Sequence, residues 1–196
     1  MFANRYTALL DACALVGVLK RNLLLTLAEA EFFRVRWSAQ VLDETERALA
    51  GIFATRGSSD PNGQAARQRS RMEMAFEDAL VSDFDELLKV CGGLSDPKDA
   101  HVLAAAVKTQ AATIVTDNLK DFPAKVLGPL NIEARSADDF IADTIALDPG
   151  RAVAAIRRMR ESFRKPEMTP DRLLITMEAT GLTATVDTLR GYIRSL

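Results

Sequence analysis

Ser95–Asp117, SDPKDAHVLAAAVKTQAATIVTD, is the stretch that decides the fold. Asp96 stands where a helix N-cap belongs, and Pro97 takes the first helical position, where a missing N–H costs nothing. Val102, Leu103, Ala106 and Val107 then recur at helical spacing. Ala112–Thr116, ATIVT, is short, apolar and β-branched, so it reads as a buried strand, and it ends at an acid, Asp117. Toward the N-terminus, Tyr6–Leu10 is a second apolar run closed by an acid, Asp11, and Leu23–Ala30 reads as helix. Phe33, Val35 and Trp37 alternate with Arg34 and Arg36, the period of a strand with one buried face. Ser38 caps a helix over about Ala39–Phe53, carried by Val41, Leu42, Thr45, Leu49 and Ile52. Thr55–Asn62, TRGSSDPN, is a loop, and the segment with Met72, Ala75, Phe76, Ala79 and Leu80 returns to helix. Past the decisive stretch, Asn131–Ala134 is a last short strand and Ser136–Ile145 a helix. Strand and helix alternate throughout, which predicts an α/β domain with a parallel sheet covered on both faces.

The character changes at Asp148-Pro149-Gly150, beyond which nothing reads as strand. Arg151–Arg164 is a basic helix with Val153, Ile156, Met159 and Phe163 on one side, ended by Pro166. Thr169-Pro170-Asp171 opens another, carrying Leu173, Leu174 and Met177 and ended by Gly181, and Thr185–Leu196 is a third. The chain therefore divides into an α/β domain over 1–145 and a helical extension over 146–196. At 196 residues, 48 % hydrophobic and 27 % charged, it can bury a real core. With 25 basic against 27 acidic residues the net charge is −2, so any grip on nucleic acid must be local. Ala12–Leu19 is too short to span a membrane and follows an acid that a secretory segment would not carry, so a soluble cytoplasmic protein is expected.

One histidine, His101, and two cysteines, Cys13 and Cys91, leave almost no material for zinc sites or for catalytic triads. Neither nucleotide-binding glycine motif is present. Carboxylates are the remaining chemistry. Asp11 and Asp117 each follow an apolar strand, and ligands of open parallel sheets bind at the carboxyl ends of strands. Either acid also suits a cap on the following helix, a reading that stays open. Two acids on one sheet edge repel each other unless a cation lies between them, so the pair hints at a metal. Asp99 and Glu44 each lie near the start of a flanking helix. Asp99 equally suits a helix dipole, and local reasoning does not separate Glu44 from Asp43 and Glu46. An all-oxygen donor set selects Mg²⁺ or Mn²⁺, which suits phosphodiester hydrolysis.

Leu10-Asp11-Ala12, Asp96-Pro97-Lys98-Asp99-Ala100-His101-Val102-Leu103-Ala104-Ala105-Ala106 and Ile114-Val115-Thr116-Asp117-Asn118-Leu119-Lys120-Asp121-Phe122-Pro123 together resemble the PIN-domain family, in particular the VapC-type toxins of bacterial toxin–antitoxin pairs. The resemblance covers about residues 5–145 and implies an α/β/α sandwich with four or five parallel strands. It also implies an Mg²⁺ or Mn²⁺ site, endoribonuclease activity on RNA and a cognate antitoxin, with a homodimer expected and no membrane partner. Carried over by position, Asp11, Glu44, Asp99 and Asp117 form the acidic quartet, with Asp11, Asp99 and Asp117 on the metal and Glu44 orienting the attacking water. Thr116 and Asn118 shape the rim, and Asp121 is a further acid. The position assigned to Asp117 is often Asn or another residue in this branch of the family, where the block reads T-x-N. The helical tail resembles that of a longer VapC subgroup. Arg157, Arg158 and Arg160 are candidate contacts for RNA or antitoxin. An inert PIN-like binding module and a structure-specific DNA nuclease are the competing functions.

Overall fold

The computed structural model describes residues 6–163 and 167–196. Arg164, Lys165 and Pro166, where the basic helix is expected to end, lie outside the described residues. The sheet has five parallel strands in the order β3-β2-β1-β4-β5. These are β1 (Thr7–Leu10), β2 (Arg34–Ser38), β3 (Leu80–Val81), β4 (Thr113–Val115) and β5 (Glu133–Arg135). Helices α1 (Ala12–Val16), α2 (Val18–Glu29), α3 (Ala39–Thr55), α4 (Pro61–Ala75), α5 (Ala100–Lys108), α6 (Ala124–Leu127) and α7 (Ala137–Leu147) connect or flank them. The central strands β1 and β4 are buried along their whole length, as their apolar runs require.

Local expectations change around α4. The helix through Met72 ends at Ala75, and Glu77–Ala79 is a single 3₁₀ turn that delivers Leu80–Val81 to the sheet edge as β3. Phe76 leaves the helix because its ring packs edge-on against the buried Trp37, with centroids 5.9 Å apart. The loop after α3 is also shorter than TRGSSDPN suggests. Thr55 still belongs to α3, and Asp60 caps α4 by accepting from the N–H of Gly63 at 2.9 Å, with Pro61 in the first turn. Arg69 of α4 then ties the two helices together through Asp43 and Glu46 of α3.

The C-terminal extension is helical, with α8 (Pro149–Ser162), α9 (Pro170–Ala179) and α10 (Thr183–Arg190). Its apolar residues Val153, Ile156, Leu173, Met177, Val186 and Leu189 join the same buried cluster as the strands. Arg151 lies over the Phe32 ring, 4.1 Å from its centroid, which fixes the start of α8 beside the amino end of β2. No helix among the described residues is long and apolar enough to cross a membrane.

Candidate active site

The strand order reverses between β1 and β4, because the chain runs outward to β2 on one side and to β5 on the other. A crevice at the carboxyl ends of such a pair is where open parallel sheets bind ligands. Asp11 follows β1 there, and its own N–H continues the ladder by donating to the Val115 carbonyl at 3.0 Å. Asp11 is 6 % exposed. Its Oδ1 caps α1 by accepting from the Ala12 N–H at 2.7 Å, and its Oδ2 accepts from the Thr116 hydroxyl at 2.7 Å. The capping role considered for this acid is real, and it leaves a lone pair free on Oδ1.

Asp99 ends the 3₁₀ turn Pro97–Asp99, which Asp96 caps through the Lys98 N–H. Burial, then the charges of Asp11, Asp121 and Asp96, push its carboxyl up to about 6, with His101 pulling the other way. Among the described residues, no lysine or arginine forms an ion pair with Asp11, Asp99 or Asp121. The turns bearing Asp99 and Asp121 are tied together by the Ser95 hydroxyl, which donates to the Lys120 carbonyl at 2.9 Å.

Three acids of α3 are separated by their partners. Asp43 and Glu46 are taken by Arg69, whereas Glu44 faces α5, where its Oε1 lies 3.3 Å from His101 Nε2. That contact is not aligned as a hydrogen bond, and both ring nitrogens of His101 are buried without one. Asp117 has partners of its own. Its carboxylate pairs with Lys20 of α2 and accepts from the N–H of Ala137 at the start of α7 at 3.5 Å. The charge of Asp121, four residues further on, is among those that raise Asp99. Asn118 is exposed at the rim, and its N–H donates to the buried Thr116 hydroxyl oxygen at 3.0 Å.

Family models match the chain twice: the PIN domain over residues 7–120 and the VapC50 C-terminal domain over residues 137–191. The chain belongs to the PIN-domain family. A protein of Mycobacterium tuberculosis (strain ATCC 25618 / H37Rv) named "Putative ribonuclease VapC50" is 46 % identical to it over 126 residues. That match covers 64 % of this chain and 66 % of the relative, so the chain spans just under two thirds of the relative's length. No solved structure matches it significantly. It is a VapC-type PIN protein with a C-terminal extension.

Sequence reasoning passes over two residues of this PIN domain's site. Cys13 donates its thiol to Asp11 Oδ2 at 3.0 Å, while its sulfur accepts the Asp117 N–H at 3.1 Å. Burial and the Asp11 charge push the thiol up to about 12, so it stays a donor. Its position two residues after Asp11, on the first turn of α1, is the only signal in the sequence. Lys20 carries no local signal for its pairing with Asp117, a residue 97 positions away. Arg157 and Arg158 are exposed on α8, but Arg160 is committed within the extension. Its side chain is 14 % exposed, and its guanidinium donates to the carbonyls of Leu196 and Met168 at 2.8 and 2.7 Å.

The residues fit a divalent cation. The donors are oxygen only, and the group holds repelling charge that no ion pair among the described residues offsets. Among the described residues no three metal-binding side chains converge to enclose an ion alone. An ion that keeps part of its water shell, as Mg²⁺ does, suits that spacing.

Proposed function

We propose that the protein is a metal-dependent endoribonuclease of the toxin type, hydrolysing RNA phosphodiester bonds and neutralised by a cognate antitoxin. The observation that carries this reading is the Asp99 carboxyl, raised to about 6 beside Asp11 and Asp121 at the switch point of the sheet. The relative named as a ribonuclease supports the substrate class. We assign Asp11, Asp99 and Asp121 to hold Mg²⁺ or Mn²⁺, directly or through water, with Asp121 in the place that strand-end position gives to Asp117. When bound, the ion activates water and offsets charge on the leaving oxygen. Glu44 would orient that water at Oε1, which lies 3.3 Å from His101 Nε2. Thr116 and Cys13 fix the Asp11 carboxylate through Oδ2, which leaves a lone pair of Oδ1 for the ion. Thr116 and Asn118 form the rim, and Arg157 and Arg158 of α8 are surface contacts for the antitoxin. The protein acts as a cytoplasmic homodimer, with residues 1–145 as the nuclease unit and 146–196 as its extension.

The test is digestion of single-stranded RNA and of flapped DNA by the full chain in Mn²⁺, with and without excess EDTA. Cleavage of RNA alone, abolished by EDTA, is expected. Undiminished cleavage in EDTA overturns the metal, cleavage of DNA alone overturns the substrate, and Mn²⁺ binding without cleavage makes this a binding module. Copurification with the product of an adjacent gene, and loss of cleavage in that complex, tests the antitoxin.

A further inference from the structure

The basic helix is the densest cationic run in the sequence, but its geometry keeps much of it away from the carboxylates. Arg151 sits over Phe32 at the amino end of the sheet, Arg157 pairs with Glu161, and Arg160 is committed to Leu196 and Met168. At the carboxyl end, Lys20 is held by Asp117, and Arg21 is buried and donates to the Leu15 carbonyl at 2.7 Å. An anionic strand approaching three carboxylates nevertheless needs cations close by.

Two remain. Lys98 precedes Asp99 and Lys120 precedes Asp121, and both are exposed. Neither side chain enters an ion pair or hydrogen bond among the described residues. Their backbones, by contrast, are fixed: the Lys98 N–H donates to Asp96 Oδ1 at 2.9 Å, and the Lys120 carbonyl accepts from the Ser95 hydroxyl at 2.9 Å. That second bond joins the two turns, so the two lysines stand on adjoining turns, each next in sequence to an acid.

We propose that Lys98 and Lys120 grip the phosphates of a single RNA strand on either side of the bond to be cut. This deepens the nuclease reading and rests on it. A lysine is a compact charge on a flexible stem, which suits phosphates whose exact position varies and carries no base information. Holding the neighbouring phosphates offsets the repulsion that the strand meets at Asp11, Asp99 and Asp121, and the grip acts in binding rather than in bond breaking.

The experiment compares the full chain with a Lys98→Gln/Lys120→Gln variant and with a control pair, Lys108→Gln/Arg194→Gln, at exposed positions away from both turns. Steady-state cleavage of a fluorescein-labelled single-stranded RNA oligonucleotide is measured in Mn²⁺, and its affinity is measured in Ca²⁺ at several salt concentrations. The double variant should raise KM about tenfold with kcat within about twofold, and its salt slope should fall by about 1.4, or about 0.7 for each lost phosphate contact. The control pair should match the unaltered chain. If the unaltered chain cleaves and the double variant keeps its KM and salt slope, the grip is overturned while the nuclease reading stands. The grip is equally overturned if the variant loses only kcat and Mn²⁺ affinity, which makes the lysines mere charge compensation for the acids. If the unaltered chain does not cleave RNA at all, the nuclease reading itself falls, and the grip with it.

Discussion

Asp117 and Asp121 test the assignment of single carboxylates. The first follows β4 directly but is bonded to Lys20 and to the start of α7, and the second acts on Asp99. Asp117→Asn should therefore keep Mn²⁺-dependent cleavage and lower Tm, whereas Asp121→Asn should abolish cleavage and leave Tm nearly unchanged. Cleavage rate and melting on the same two proteins decide it, and the reverse pattern restores Asp117 to the metal. Asp99 adds a pH signature. Its folded carboxyl is raised to about 6, above the unfolded value of about 3.9, so the folded state holds the proton more tightly. In metal-free protein its contribution to stability is greatest below about pH 4 and declines until about pH 6. Asp99→Asn should then raise Tm at pH 7 in EDTA, and the gain should shrink as the pH falls toward 4. Position in the sequence cannot separate these acids, because the residue after a strand can turn its side chain to either neighbour. Asp99, Glu44 and Asp11 were legible as candidates from their places at element ends, but what each carboxylate faces was not.

At the level of elements, β1, β2 and β4 are legible because burial on one or both faces writes a period into their residues. β3 is not, since two residues at a sheet edge carry no period and are defined only by pairing with Trp37 and Ser38. The first turn of α10 is equally silent in the sequence. It lacks a side-chain cap of its own, and Asp138 of α7 supplies one from 46 residues away, accepting the N–H groups of Ala184 and Thr185, each at 2.8 Å. Burial works against this charge, but the bonds from Thr185, Ala184 and Thr183 hold its carboxyl below the usual range. A depressed carboxyl stabilises the fold above its unfolded value and loses that contribution as the pH falls through the folded one. Asp138→Ala should cost about 1 kcal/mol at pH 7, as for other lost caps, with the difference in denaturant midpoint from the unaltered chain shrinking as the pH falls below the ordinary carboxylate range. A difference that persists unchanged at low pH would mean that Asp138 acts by packing rather than by charge.

For the whole molecule, the question is whether the two sequence units are also two folding units. The break at Asp148-Pro149-Gly150 is a turn in composition only, because Asp148 caps α8 directly after α7 ends at Leu147. Val153 and Ile156 of α8, Leu173 and Met177 of α9, and Val186 and Leu189 of α10 share one buried cluster with Leu9, Leu23 and Ile114. Arg151 over Phe32 and Asp138 under α10 pin the extension to the sheet domain at two further places. Cutting the chain after Leu147 would expose the apolar faces that meet the extension, and each large side chain so uncovered costs about 1.5–3 kcal/mol. That total approaches the whole stability of an ordinary domain, about 5–15 kcal/mol. The full chain should therefore unfold in one transition, with the calorimetric enthalpy equal to the van't Hoff enthalpy. Ile156→Ala in α8 should lower the single Tm seen by near-ultraviolet signals from Trp37, a residue of β2 far from α8 in sequence. Two resolved transitions, or a Trp37 signal indifferent to Ile156→Ala, would show instead that the extension melts on its own.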